Sequence, residues 1–180
     1  MSGKSRGDTG GKIVSSAHLA DGGAPTLSEF EFGLIISGNA FDRWIVRCMA
    51  AAGYPELGPL DILVLHSVNH RDRAKRLSDI CFVLNIEDSH TVNYALKKLE
   101  KLALITRSRR GKETLYATSV AGTAACLKYR ELREDCLVTA FEALAGGQGG
   151  DVRSQINETA ELLRVLSGLY DQAARAAASL

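Results

Sequence analysis

Between residues 89 and 112 the chain gathers side chains that hydrogen-bond in both directions and side chains that carry positive charge. Ser89, His90, Thr91, Asn93 and Tyr94 bring donors and acceptors close together. Lys97, Lys98 and Lys101 follow, then Arg107, Arg109, Arg110 and Lys112. The first group has the chemistry that reads base edges: Asn pairs with adenine, and His or Ser reaches either kind of base. The second group suits phosphates, contacts that position a duplex without specifying its sequence. Any one of these residues alone reads equally as a solvated surface side chain; the grouping carries the argument. A further basic cluster, Arg71, Arg73, Lys75 and Arg76, has two readings, phosphate contact or a loop kept soluble by its charge.

Such side chains act only if a scaffold presents them together. Leu77, Ile80, Cys81 and Leu84 recur at helical spacing, which predicts a short amphipathic helix. Asn85-Ile86-Glu87-Asp88 breaks it, with Asn85 suited to the turn. A second helix is expected from Asp88 or Ser89, both good N-caps, with Glu87 and Asp88 favouring the positive end of its dipole. Its apolar face is Val92, Ala95, Leu96 and Leu99, which leaves the candidate DNA-contacting residues on the other side. Leu104–Arg107 and Thr114–Ala117 are short β-prone runs around Ser108-Arg109-Arg110-Gly111-Lys112, a glycine-bearing hairpin tip loaded with positive charge. Two short helices, a tight turn and a basic hairpin make a winged helix-turn-helix.

The run LSDICFVLNIEDSHTVNYALKKLEKLALITR resembles the positioning helix, recognition helix and first wing strand of the MarR family of winged-helix transcription regulators. Thr118-Ser119-Val120-Ala121-Gly122 is similar to that family's exit from the wing into the next long helix. The resemblance implies a sequence-specific regulator that binds a pseudo-palindromic DNA operator as a homodimer, with one recognition helix per half-site. It also implies a small-molecule effector bound between the long helices and the winged domain, where Phe41 and Trp44 are candidate pocket walls or plain core residues. Some MarR-like regulators use a cysteine to sense redox state, and Cys48 is the candidate for that here, although no neighbouring residue in the sequence would lower its pKa.

The rest of the chain reads as helices around this centre. Residues 1–25, rich in Gly, Ser and Asp, are expected to be a flexible tail. Thr26 or Ser28 is expected to cap a long helix to about Ala52, with the stripe Leu27, Phe30, Leu34, Phe41, Trp44, Ile45 and Cys48, ended by Gly53-Tyr54-Pro55. A helix from Pro59, with Leu60, Leu63, Val64 and Val68 inward, fades near Arg71. Ser119 to Ala145 is expected to form one long helix with Ala124, Leu127, Leu132, Cys136, Ala140, Phe141 and Leu144 inside. Gly146–Gly150 reads as a flexible break, and the last helix, about Val152 to Ala178, carries Ile156, Leu163, Leu166, Leu169 and Ala173 at near-heptad spacing. The division is therefore tail 1–25, N-terminal dimerisation helix 26–54, winged domain 55–118 and C-terminal dimerisation helices 119–180. The fold class is mainly α with a small β-wing. The long apolar seams need cover that the small central domain cannot supply, which points to a homodimer; packing of the helices on each other within one chain is the alternative.

Composition narrows the function classes. The 180-residue chain has a net charge of +1, so bulk charge selects no partner. Its distribution is more telling: residues 58–118 hold 11 Lys/Arg against 7 Asp/Glu, a local net of +4. The opening MSGKSRGDTGGK has no apolar run and no segment approaches the roughly 18 apolar residues of a membrane span, so a cytoplasmic protein without membrane contact is expected. The four cysteines, Cys48, Cys81, Cys126 and Cys136, form no C-x-x-C pair and read as reduced thiols, mostly buried in helices. His66 and His70 stand four apart, a spacing that can share a metal, but Ser67 replaces the glutamate of an H-E-x-x-H site; local packing is the other reading, and no metal or cofactor is expected. No nucleophile elbow or phosphate-cradling loop is present, so the chain is not read as an enzyme. The competing function is a protein-interaction adaptor that uses the winged helix as a docking scaffold.

Overall fold

The computed structural model describes residues 24–147 and 151–180. Residues 1–23 of the expected tail and 148–150 of the glycine-rich break lie outside the described residues. The first helix, α1 (Pro25–Ala51), starts at Pro25, whose missing N–H costs nothing in a first turn; Ala24 precedes it and no side chain caps it, so neither Thr26 nor Ser28 has the expected role. Helix α2 (Pro59–Asn69) follows, with the Asp61 carboxylate accepting a hydrogen bond from the Gly58 N–H at 2.9 Å. A single 3-10 turn at His70–Asp72 leads on to α3 (Leu77–Leu84) and α4 (Ser89–Lys101). Strands β1 (Ile105–Arg110) and β2 (Glu113–Thr118) form an antiparallel hairpin from Ile105↔Thr118 to Arg110↔Glu113. Gly111 opens its two-residue loop at φ +62, a conformation that suits glycine.

The core lies inside the winged domain. Ile62, Val64, Leu65 and Val68 of α2 pack with Ile80 of α3, Val92, Leu96 and Leu99 of α4, and Leu104 and Ile105 at the wing's base, all but fully buried. Each large aliphatic side chain so covered stabilises the domain by about 1.5–3 kcal/mol. The expected inward set of α2 is thus extended: Ile62 and Leu65 are fully buried, whereas Leu60 and Leu63 are only partly so. From α1 Ile45, Cys48 and Met49 are buried in the core and Trp44 and Val46 pack against it; Leu34 and Phe41, upstream on the expected stripe, remain exposed.

After the wing the chain forms α5 (Val120–Arg133), a π-helical turn at Glu134–Val138 and α6 (Thr139–Gly147), in place of the one uninterrupted helix expected. The extra residue in that turn rotates α6 relative to α5, and Thr139 Oγ1 donates to the Glu134 carbonyl at 3.0 Å. The buried face of α5 is Gly122, Ala125, Cys126 and Tyr129, not Ala124 and Leu127, which are exposed, and Cys136 is exposed as well. Gly122 sets this rotation, because a Cβ there would stand 1.9 Å from the Leu104 carbonyl oxygen. Helix α7 (Asp151–Ala177) buries none of its residues; Arg153 pairs with Glu142 of α6, Tyr170 Oη donates to Glu31 at 3.2 Å, and Asn85 Nδ2 donates to Asp171 at 3.3 Å. No helix among the described residues is long and apolar enough to cross a membrane.

Candidate nucleic-acid interface

The turn into α4 is built from local chemistry. Asn85 takes the left-handed conformation at φ 52, which Asn tolerates better than most residues, and ends α3. The Asp88 carboxylate caps α4 by accepting from the His90 N–H at 2.9 Å. With Val92, Ala95, Leu96 and Leu99 inside, the outward line of α4 is His90, Tyr94, Lys97 and Lys101, all exposed; Tyr94 keeps 73% of its surface. Ser89 and Thr91 are exposed at the first turn, and Asn93 is half-buried at the margin of the same face. The Thr91 hydroxyl donates to the Asp88 carbonyl at 2.8 Å.

The hairpin continues the surface. Ile105 and Tyr116 of the hairpin are buried, while Arg107, Arg109, Arg110 and Lys112 are exposed. Arg107 Nε lies 3.3 Å from Glu100 of α4, so this arginine links wing to helix. Arg109, Arg110 and Lys112 have no ion-pair partner among the described residues. Arg76 fixes the wing's other side: its guanidinium donates to Asp79 at 2.9 Å and to Glu113 of β2 at 3.1 Å.

Two lysines expected to be free cations are structural. Lys98 Nζ donates to Asp61 Oδ2 at 2.6 Å and to the Glu56 carbonyl at 2.7 Å, so its charge is spent fastening α4 to the start of α2. Lys75 is only 6% exposed, and its ammonium donates to the carbonyls of Val68 at 2.9 Å, Arg73 at 3.3 Å and His70. It thereby closes the C-terminal end of α2, where unsatisfied carbonyls and the helix dipole favour a cation. Burial, with Arg73 and Arg71 nearby, pushes its pKa down from the ordinary lysine value. Its backbone pairs with Tyr116, adding a third, one-residue rung to the wing.

The remaining candidates fall away from this surface. His66 stacks edge-on against Tyr129 with ring centroids 4.6 Å apart, and among the described residues no group of three potential metal ligands includes it or His70. Cys48 is buried, its Sγ 3.6 Å from the Tyr129 carbonyl, and burial raises its pKa, the opposite of an activated thiol. Trp44 packs against the core and Phe41 lies half exposed on α1.

Residues 57–122 match the family model of a winged helix DNA-binding domain. By structure, the chain is similar to MepR, a transcription regulator of the Staphylococcus aureus multidrug efflux pump MepA, at 12% identity and a TM-score of 0.57, over 74% of this chain and 98% of that one. A MarR family regulator from Neisseria meningitidis aligns at 17% identity and a TM-score of 0.54, over 77% of this chain and 93% of its own. Reduced AbfR bound to DNA aligns at 18% identity and a TM-score of 0.54, over 76% and 93%. No curated protein matches the sequence significantly.

Proposed function

From a chain whose residues 57–122 are a winged-helix DNA-binding domain, within the fold of the MarR-type transcription regulators, we infer a sequence-specific DNA-binding transcription regulator. The observation that carries this reading is the outward line His90, Tyr94, Lys97 and Lys101, continued by the exposed cations Arg109, Arg110 and Lys112, which have no ion-pair partner among the described residues. Helix α4 enters the major groove, where Ser89, His90, Thr91, Asn93 and Tyr94 meet base edges and Lys97 and Lys101 meet phosphates. The wing's Arg109, Arg110 and Lys112 reach the flanking backbone or minor groove. Arg107 and Lys98 serve this surface by holding wing and helix in place.

The regulator works as a cytoplasmic homodimer, one recognition helix per half-site of a pseudo-palindromic operator. Support comes from apolar seams that the described chain leaves between 41% and 70% exposed: Leu34 and Phe41 on α1, and Ile156, Val165 and Leu169 on α7. A small-molecule effector acting between the long helices and the winged domain belongs to the same reading. The role is binding, with no catalytic step.

A salt series on matched specific and scrambled duplexes tests it, after selection of bound fragments from genomic DNA has supplied the specific site. Asn93→Ala is expected to relax base preference at one position per half-site, at about 1–3 kcal/mol for each lost contact. Arg110→Ala is expected to weaken both duplexes alike and to reduce the salt slope by about one counterion per contact. If both variants bind both duplexes as wild type does, α4 and the wing are not the DNA surface, and the adaptor role takes its place.

A further inference from the structure

The strand register sets one acidic residue inside the basic wing. Glu113 lies directly opposite Arg110 at the end of the hairpin. Cross-strand side chains so placed share a face about 5 Å apart, and opposite charges there attract. Arg109 stands opposite Thr114 and Arg107 opposite Tyr116, so of the three wing arginines only Arg110 has a carboxylate across from it. Arg110 nevertheless has no ion-pair partner among the described residues. Glu113 Oε1 lies instead 3.1 Å from Arg76 Nη1, 37 residues away in the chain. The preference has a physical cause. Arg76 Nε and Nη2 hold the two carboxylate oxygens of Asp79 at 3.2 and 2.9 Å, and the Arg76 N–H donates to the same carboxylate at 3.2 Å. That bidentate grip fixes the guanidinium independently of Glu113, so their pairing orders one further side chain, whereas an Arg110–Glu113 pair would have to order two. Lys75, just before Arg76, pairs its backbone with Tyr116, and this rung brings position 76 alongside β2.

We propose that Arg76 is a positioning residue of the DNA interface: by holding Glu113 toward α3, it leaves the Arg110 guanidinium uncompensated and available to a phosphate. This rests on the DNA-binding role given to the wing above. Without Arg76, Glu113 turns to the arginine opposite it, and the wing loses a cation although no DNA-contacting residue has been removed. A phosphate-contacting cation releases about one counterion, which at about 0.1 M salt is worth roughly eightfold in affinity. An Arg110 already neutralised by Glu113 releases less, because its partner must first be displaced.

The test is a double-mutant cycle on the full chain, read by binding to the selected and scrambled duplexes across a salt series and by proton–nitrogen spectra of the free protein. Arg76→Ala is expected to weaken both duplexes about threefold to eightfold at about 0.1 M salt and to lower the salt slope by up to about one. Adding Glu113→Gln should restore both, because an amide has no charge to set against Arg110. In an Arg110→Ala background, Arg76→Ala should change neither any further, which a general effect of net charge would not reproduce. Without DNA, Arg76→Ala should shift the Arg110 Nε–Hε signal and slow its exchange with water by about twofold or more, and the added Glu113→Gln should return it. An unmoved signal, a loss of binding that Glu113→Gln does not restore, or an equal loss from Arg76→Ala with and without Arg110 would each overturn the proposal and leave the DNA-binding role of the wing intact. Arg110→Ala alone binding every duplex as wild type does would mark the failure of that role, and the proposal would fall with it.

Discussion

Lys98 and Lys101 are three residues apart on α4, yet their ammonium groups have different surroundings. Lys98 sits on Asp61, whose side chain is only 10% exposed, while Lys101 faces solvent. Lys98→Ala strands a largely buried carboxylate and is expected to cost about 1–3 kcal/mol in urea melts. It should leave the salt slope of DNA binding near that of wild type, whereas Lys101→Ala should lower the slope by about one and leave stability unchanged. His66 belongs at this scale too. Burial lowers its pKa below the ordinary 6.5, so on acidification the unfolded chain takes up this proton before the folded one. Its contribution is fully present above pH 6.5 and is lost as pH falls through that value toward the folded pKa. A wild-type melt series from pH 7.5 to 5.5 should show that loss, and His66→Phe should flatten it. Neither role is readable from the sequence. Nothing in a run of lysines tells a solvated ammonium from one that meets a carboxylate 37 residues away, and a histidine's burial depends on Tyr129 arriving from α5.

At the scale of elements, the contrast between α4 and α5 explains how far a hydropathy pattern reaches. Polar residues surround Val92, Ala95, Leu96 and Leu99, so the buried face of α4 is legible in the sequence and the candidate DNA residues fall outside it. The turn is legible for a similar reason, since Asn85 is a residue type that accepts its backbone. Helix α5 is built on small residues, and its buried face uses Gly122, Ala125 and Cys126, which differ little in hydropathy from their exposed neighbours. What fixes α5 is a backbone approach to Leu104 that only glycine permits. Gly122→Ala is therefore expected to destabilise the fold by about 1–3 kcal/mol or more despite alanine's better helix propensity. Gly38→Ala on α1, where a Cβ meets nothing within 4 Å, should instead stabilise by about 0.5–1 kcal/mol. Opposite shifts in denaturant midpoint check the pair.

For the whole molecule, the seams decide the assembly. Leu163 is 37% exposed and Leu166 half-buried on a helix that buries nothing completely, and both belong to the near-heptad stripe. Sedimentation at micromolar concentration is expected to show a dimer, and Leu163→Asp with Leu166→Asp to yield monomer or aggregate, since carboxylates at a closed seam lose their water unpaired. A monomeric wild type would remove the paired half-site arrangement. The long helices are legible as helices with stripes; the cover over those stripes is not, because one chain's sequence does not say whose side chains fill its grooves. Within the winged domain, Lys75 joins α2 through its ammonium, β2 through its backbone and α3 by chain continuity, and with only 6% of it exposed its amine stays largely covered while those elements remain packed. That makes it a clock. In timed acetylation of the native protein, Lys97, Lys101 and Lys112 should be modified at once, and Lys75 only at the rate at which the winged domain opens.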